Sequence, residues 1–124
     1  MISRSFRYLF SKGTIFDKIL SKQIPSKAVF EDDDVYAFED IQPQAPVHIL
    51  IIPKFKDNLS GISQAEEKNV KILGRLLLTA SRVAKEKNLS GYRLVINEGK
   101  DGCQSVDHLH VHLIGGRQMN WPPG

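Results

Sequence analysis

Short extended runs and two helical ones alternate along the chain. Ile15, Phe16, Ile19 and Leu20 recur at helical spacing. A short helix is therefore expected over residues 14–22, with Thr14 as its N-cap and Ile24-Pro25 ending it. Ala28–Glu31 and Val35–Glu39 read as strands joined by a turn at Asp32-Asp33-Asp34, because aspartate tolerates turn geometry. Two prolines fix a loop over residues 40–46, and residues 47–52 form an apolar strand interrupted only by His48. A polar loop over 53–60 leads to Ser63-Gln64-Ala65-Glu66, a capping-box sequence. It predicts a long helix running to about Lys87, with Val70, Leu73, Leu77, Ala80 and Ala84 at steps of three and four. Asn88 and Gly91 close that helix. Residues 92–97 are then a strand, 98–104 a glycine-containing loop and 106–114 a last strand, while 115–124 have no period of their own. The sum is an α+β domain with about five strands, mainly antiparallel by their short connections, one long helix packed on a face and one short helix.

The last strand carries the chemistry. His108, His110 and His112 alternate with Leu109, Val111 and Leu113, so in an extended chain the imidazoles share one face and the aliphatic residues the other, which reads as the core face. These are three of only four histidines in the sequence, and the fourth, His48, interrupts a strand that otherwise looks buried. A buried histidine needs a polar partner, and a second histidine on a neighbouring strand would supply one.

Composition narrows the class without naming it. With 124 residues, 41% hydrophobic and 25% charged, the chain is one ordinary globular domain, free of repeats, low-complexity segments and internal linkers. The net charge of +3 is spread along the chain. It fits an anionic small ligand and lacks the concentrated basic patch that nucleic acid calls for. No apolar run approaches the ~20 residues that span a bilayer, so neither nucleic acid nor membrane is expected as a partner. A single cysteine, Cys103, suits a reducing compartment, and a cytoplasmic location is expected. Residues 1–13 read as a tail before a domain over 14–124. Within that tail Arg4, Arg7 and Lys12 stand without an acid, and Ile2, Phe6, Leu9 and Phe10 share a helical face. A mitochondrial presequence is thus the alternative.

Three readings compete for the histidine row. A metal site is disfavoured by strand geometry, since residues four apart lie roughly 13 Å apart along a strand while zinc needs ligand atoms at ~2.1 Å. A plain polar row on a solvent face would not require histidine, nor a further histidine in a buried strand. The third reading is nucleophilic catalysis, in which one ring nitrogen of a neutral imidazole attacks phosphorus while the other is oriented by a hydrogen bond. His110, the central residue, is flanked by donors for phosphate oxygens. Gly99 and Gly102 let the preceding loop offer backbone N–H groups, Ser105 is placed to contact a leaving group, and protonated histidines would neutralise charge.

His108-Leu109-His110-Val111-His112-Leu113-Ile114 resembles the motif of the histidine triad superfamily, His-φ-His-φ-His-φ-φ with φ apolar. The C-terminal Gly-Gly-Arg-Gln-Met-Asn-Trp-Pro-Pro-Gly, the 40–48 segment and Asn97-Glu98-Gly99 are similar to its nucleotide-binding branch, and the resemblance covers about residues 14–124. It implies a histidine triad fold whose homodimer joins two sheets into one larger sheet, with Trp121 tied to the dimer. It also implies hydrolysis of purine nucleoside phosphoramidates through a nucleotidyl-histidine, without metal or cofactor. His110 would be the nucleophile, His112 the phosphate contact and Ser105 the contact to the leaving amine, with His48 and His108 forming a relay. Asp40 would hold the ribose, Phe16, Ile19, Phe38 and Ile41 would line the base pocket, and Asn97 with the Cys103-Gln104 backbone would complete the phosphate side. The resemblance leaves two alternatives, a nucleotide-binding regulatory module with little turnover and a dinucleoside polyphosphate hydrolase. Three positions depart from the pattern. Cys103 stands where glycine is usual, Asp107 replaces a residue that is often aromatic, and Thr14-Ile15-Phe16-Asp17 lacks the cysteine pair of zinc-containing relatives.

Overall fold

The computed structural model describes residues 13–124. The basic, presequence-like stretch Met1–Lys12 lies outside the described residues. Five strands form one antiparallel sheet in the order β1-β2-β3-β5-β4, with β1 Ala28–Glu31, β2 Val35–Glu39, β3 Val47–Pro53, β4 Tyr92–Val95 and β5 Val111–Gly115. The expected hairpin at Asp32 is present: its Oδ1 accepts the N–H groups of Asp34 and Val35, both at 2.8 Å. Asp32 also pairs with Arg75, which ties this turn to the long helix.

The sheet is covered on both faces. Helix α2, Val70–Glu86, buries Leu76, Ala80, Val83 and Ala84 against Ala37, Ile49, Ile51, Val111 and Leu113. Helix α1, Ile15–Leu20, packs Phe16 and Ile19 against Phe38, Leu50 and Ile52 on the opposite face. This explains why β3 reads as an almost unbroken apolar run, for its neighbouring residues go to two different cores. A capping box starts α1. Thr14 Oγ1 accepts the Asp17 N–H at 3.4 Å, and Asp17 Oδ2 accepts the Thr14 N–H at 2.8 Å.

Two expectations about α2 are corrected. The Ser63–Glu66 box does not form. Asn69 Oδ1 instead accepts the Glu66 N–H at 2.9 Å, which closes a 3-10 turn over Glu67–Asn69 after an earlier one over Ile62–Gln64, and the α-helix begins at Val70. The buried stripe is also displaced: Val70 and Leu77 are exposed, and Leu76, Thr79 and Val83 take the core positions. The run Leu76-Leu77-Leu78 is apolar all round the helix, so its period alone cannot choose the inward face.

The two strands nearest the site are shorter than expected. β4 stops at Val95, and β5 begins at Val111 rather than at residue 106. The β3–β5 ladder ends at Ile51↔Val111; carrying it past Ile52 and His110 would need an N–H from Pro53 opposite Leu109, and proline has none. Before that point the chain leaves the sheet and pairs elsewhere, with the Leu109 N–H bound to the Leu59 carbonyl at 2.8 Å.

Candidate active site

Of the three clustered histidines, only His112 therefore lies on a strand. His108 and His110 sit on the extended segment that precedes it and are buried rather than solvent-facing. The alternation survives this change: Leu109, Val111 and Leu113 go to the α2 core, while His108 and His110 each make a T-shaped contact with Phe16 on α1, with ring centroids 5.7 and 5.0 Å apart. His48 faces Ile114 in register and stands diagonal to His112 on one sheet face, close enough for their rings to approach to 5.1 Å.

Hydrogen bonds fix which nitrogen carries each proton. The backbone N–H of Gln44 donates to His48 Nδ1 at 3.0 Å, so that nitrogen is an acceptor and the proton of a neutral ring sits on Nε2. His48 Nε2 lies 2.9 Å from His112 Nδ1 and donates to it. The His112 proton must then be on Nε2, a buried N–H with no hydrogen-bond partner among the described residues. A chain of neutral groups thus ends in one unsatisfied donor. In the second branch, His110 Nδ1 donates to the His108 carbonyl at 2.7 Å, which leaves the lone pair of His110 on Nε2. His108 Nε2 donates to the Pro53 carbonyl at 2.9 Å, while its Nδ1, 3.9 Å from Asp17 Oδ1, is left without a partner. The expected relay between His48 and His108 is not formed; His48 serves His112, and His108 serves His110 through its backbone carbonyl.

Burial holds all four rings neutral. Desolvation lowers the pKa of His48, His108 and His110, against opposing raises from Asp40 at His48 and His110, from Asp17 at His108, and from the backbone carbonyls that His108 and His110 meet. His112 is pushed down to about 4, by desolvation first and then by the neighbouring His110 and His48. The protonated histidines expected for charge neutralisation are therefore not those of the free protein. Its tool for a phosphate is an oriented neutral N–H, and its tool for phosphorus is an available lone pair.

His110, His112 and Ser105 line one cavity together with Phe16, Ile19, Phe38, Asp40 and Ile41, which gathers most of the site residues named from sequence. Its volume of about 160 Å³ is below the ~300–1,000 Å³ of a typical ligand site, so it has room for one planar group of the size of a nucleobase. Asp40 Oδ1 accepts the Gln42 N–H at 2.8 Å, and Oδ2 lies 3.4 Å from His48 Nε2. Ile24, Pro25 and Ser26 also line the cavity. Their only sequence signal was an apolar pair just after a short amphipathic helix. The Gln44 contact is made by backbone and leaves no signal in residue type.

Asn97, Cys103 and Gln104 are not among the cavity-lining residues. The Cys103 and Gln104 N–H groups already donate to the Lys100 and Gly99 carbonyls at 3.1 and 3.0 Å, so they are not free for a phosphate as expected. Gln104 acts as the organiser of its loop: its Oε1 accepts the Gly99 N–H at 2.9 Å, and its Nε2 donates to the Ser60 carbonyl at 2.6 Å. A Cβ at Gly102 would strike the Glu98 carbonyl, so that position admits only glycine. Cys103 has φ +62°, the left-handed region that glycine occupies at least cost.

Among the described residues, Asp40, His48 and His112 offer ligand atoms within 4.8 Å of one another, the spacing of a metal trio. They do not fit a resident zinc. The Gln44 N–H occupies His48 Nδ1 and places a proton on Nε2, which is the atom that would have to bind the ion.

An antiparallel sheet backed by one long helix, with a row of neutral imidazoles facing a base-sized apolar cavity, defines a nucleophilic-histidine class of site. The chain belongs to the histidine triad family, for the HIT domain model matches residues 21–119. It is 69% identical over 112 residues to "Adenylylsulfatase HINT1" of Arabidopsis thaliana, covering 90% of this chain and 76% of that one. It is 66% identical to the "14 kDa zinc-binding protein" of Brassica juncea, over 90% of this chain and 99% of that one. Among solved structures, a HIT family hydrolase from Legionella pneumophila superposes with a TM-score of 0.84 at 46% identity, covering 89% of this chain and 98% of its own. One from Clostridium thermocellum gives 0.83 at 39% identity, over 89% and 96%.

Proposed function

We propose that the protein is a hydrolase of purine nucleoside 5′-phosphoramidates, with His110 as nucleophile. The observation that carries the reading is the tautomer of His110. Its Nδ1 proton is held by the His108 carbonyl, so Nε2 presents its lone pair to the cavity without a prior proton transfer. In the first step Nε2 bonds to phosphorus, the P–N bond breaks with its electron pair, and the departing amine takes a proton from solvent water beside the Ser105 hydroxyl. The imidazolium so formed keeps its Nδ1–H on the carbonyl. His112 Nε2–H meets a phosphoryl oxygen on which charge collects. In the second step water attacks phosphorus and gives up a proton to solvent, replacing the one the amine took, Nε2 recovers its pair, and the nucleoside monophosphate leaves with the water oxygen. Asp40 holds the ribose hydroxyls, and Phe16, Ile19, Phe38 and Ile41 hold the base.

The name of the Arabidopsis relative brings in a second substrate class, adenylyl sulfate. The same attack on phosphorus applies there, with sulfate leaving as a weak base that needs no proton. Mass spectrometry of enzyme quenched during turnover should show a nucleotidyl adduct on His110. Turnover in His110→Ala would overturn the nucleophile assignment, and equal use of adenosine phosphoramidate and adenylyl sulfate would make leaving-group protonation unimportant.

The functional unit we infer is a homodimer joined through β4. This edge strand and the residue after it expose Tyr92, Leu94 and Ile96, while α2 exposes Leu77 and Leu78. The exposed Trp121 indole stands 5.8 Å from the Arg93 guanidinium on β4. Pairing β4 with a second copy would satisfy its free edge and make one continuous sheet. Sedimentation should give a dimer that Leu94→Asp dissociates, and a wild-type monomer at micromolar concentration would refute it.

A further inference from the structure

A cleft of about 590 Å³ adjoins the base-sized cavity, and the two share Ile19, Ile24, Pro25 and Ser26 as walls. The groups that face phosphorus, His110, His112 and Ser105, belong to the cavity and not to the cleft. Sheet order gives the direction. The histidines come from β3 and β5, or from the segment leading into β5, whereas the cleft lies over the outer strands through Ala28 and Glu31 on β1 and Tyr36 on β2. Strands ~4.8 Å apart put β1 about 14 Å from β5. A nucleotide with its phosphorus at His110 and its base in the cavity therefore points the far edge of that base into the cleft. In a purine this edge is the six-membered ring, opposite the ribose.

We propose that the cleft is a substrate subsite for an apolar substituent on that edge, so that the enzyme takes adenine nucleotides bearing an alkyl or benzyl group on the exocyclic amine. The proposal rests on the phosphoramidase reading above. Its chemical class follows from what the cleft leaves unsatisfied. Ser26 Oγ and Tyr36 Oη are bonded to each other at 2.6 Å, Lys54 Nζ and Glu31 Oε2 are paired at 2.6 Å, and Lys22 is exposed to water. The hydroxyls and the ion pair already have partners, whereas Leu20, Ile24 and Pro25 have apolar surface still to cover. An uncharged apolar group gains there, and a charged one would have to break an existing pair.

The test compares kcat/KM for adenosine 5′-phosphoramidate with that for its N6-benzyl derivative. Wild-type enzyme should use both within roughly threefold, since a pocket that excluded the larger group would cost a factor of ten or more. Ala28→Trp fills the cleft from exposed β1 without touching the cavity, and Leu20→Trp fills it from the end of α1. Each should lower kcat/KM for the benzyl substrate about tenfold while leaving the parent substrate unchanged. Failure of wild type to turn over the parent compound would sink the phosphoramidase reading. Turnover of the parent with rejection of the benzyl derivative would overturn the subsite alone, as would benzyl turnover that neither tryptophan reduces.

Discussion

Replacing His48 with leucine tests whether a residue with no reacting atom sets the donor at the phosphate. The substitution removes the Nε2–H that lies 2.9 Å from His112 Nδ1 and keeps the volume of the buried side chain nearly constant. His112 Nδ1 then has no donor, and the proton of the neutral ring is no longer confined to Nε2. A hydrogen bond to a charged oxygen contributes ~1.5–3 kcal/mol, and each ~1.4 kcal/mol of transition-state stabilisation is tenfold in rate. Loss of the oriented donor should therefore lower kcat/KM about 10- to 150-fold by these magnitudes. The loss should fall mainly on kcat, because the charge it meets is largest in the transition state. His48→Gln, whose amide can still donate, should recover part of the rate. Steady-state kinetics with adenosine phosphoramidate reads the rate, and nitrogen chemical shifts of labelled histidine read the tautomer. Full activity in His48→Leu, or a His112 proton that stays on Nε2 in that variant, would refute the tautomer chain.

Three further outcomes follow from the geometry. Because His110 must attack unprotonated and its pKa is lowered, the acid limb of kcat/KM should lie below the usual histidine value of 6.5, and a limb above it would count against burial as the controlling cause. Stability has the same sense: His112 sits at about 4 when folded against the ordinary histidine value of 6.5, so the unfolded chain binds the extra proton between them. The contribution is complete above the higher value and drains away as pH falls towards the lower one, and melting temperature should drop across that interval less steeply in His112→Asn. Asn69→Ala removes both the Glu66 cap and the 3.2 Å contact to Asp57 from a buried site, so denaturant titration should show a loss of about 1–3 kcal/mol with little change in KM.

The parts of the molecule legible in the sequence are those governed by pattern and residue type. The hairpin at Asp32 and the Thr14 cap follow from one-dimensional signals, and most of the cavity residues from the resemblance to the family. The errors fall where backbone chemistry decides. The Asn69 cap outcompeted the Ser63 box, and β5 is shorter than its alternating pattern because the chain before Val111 turns to the Leu59 carbonyl. The partner of His48 turned on a diagonal in the sheet register that spacing does not reveal. The loop before the triad looked like a phosphate nest from its glycines, yet Gly99 and Gly102 serve to let the loop bind its own carbonyls.

Pro53 links the sheet to the reaction. Strand pairing draws on backbone carbonyls, and those beyond the last pair are open to steer an imidazole. Past the last β3–β5 pair, the Pro53 carbonyl accepts the His108 Nε2–H and the His108 carbonyl accepts the His110 Nδ1–H. The nucleophile is therefore prepared by an interruption of regular structure. The histidine motif alone therefore does not specify this site, which also needs the carbonyl of position 53 within reach of His108.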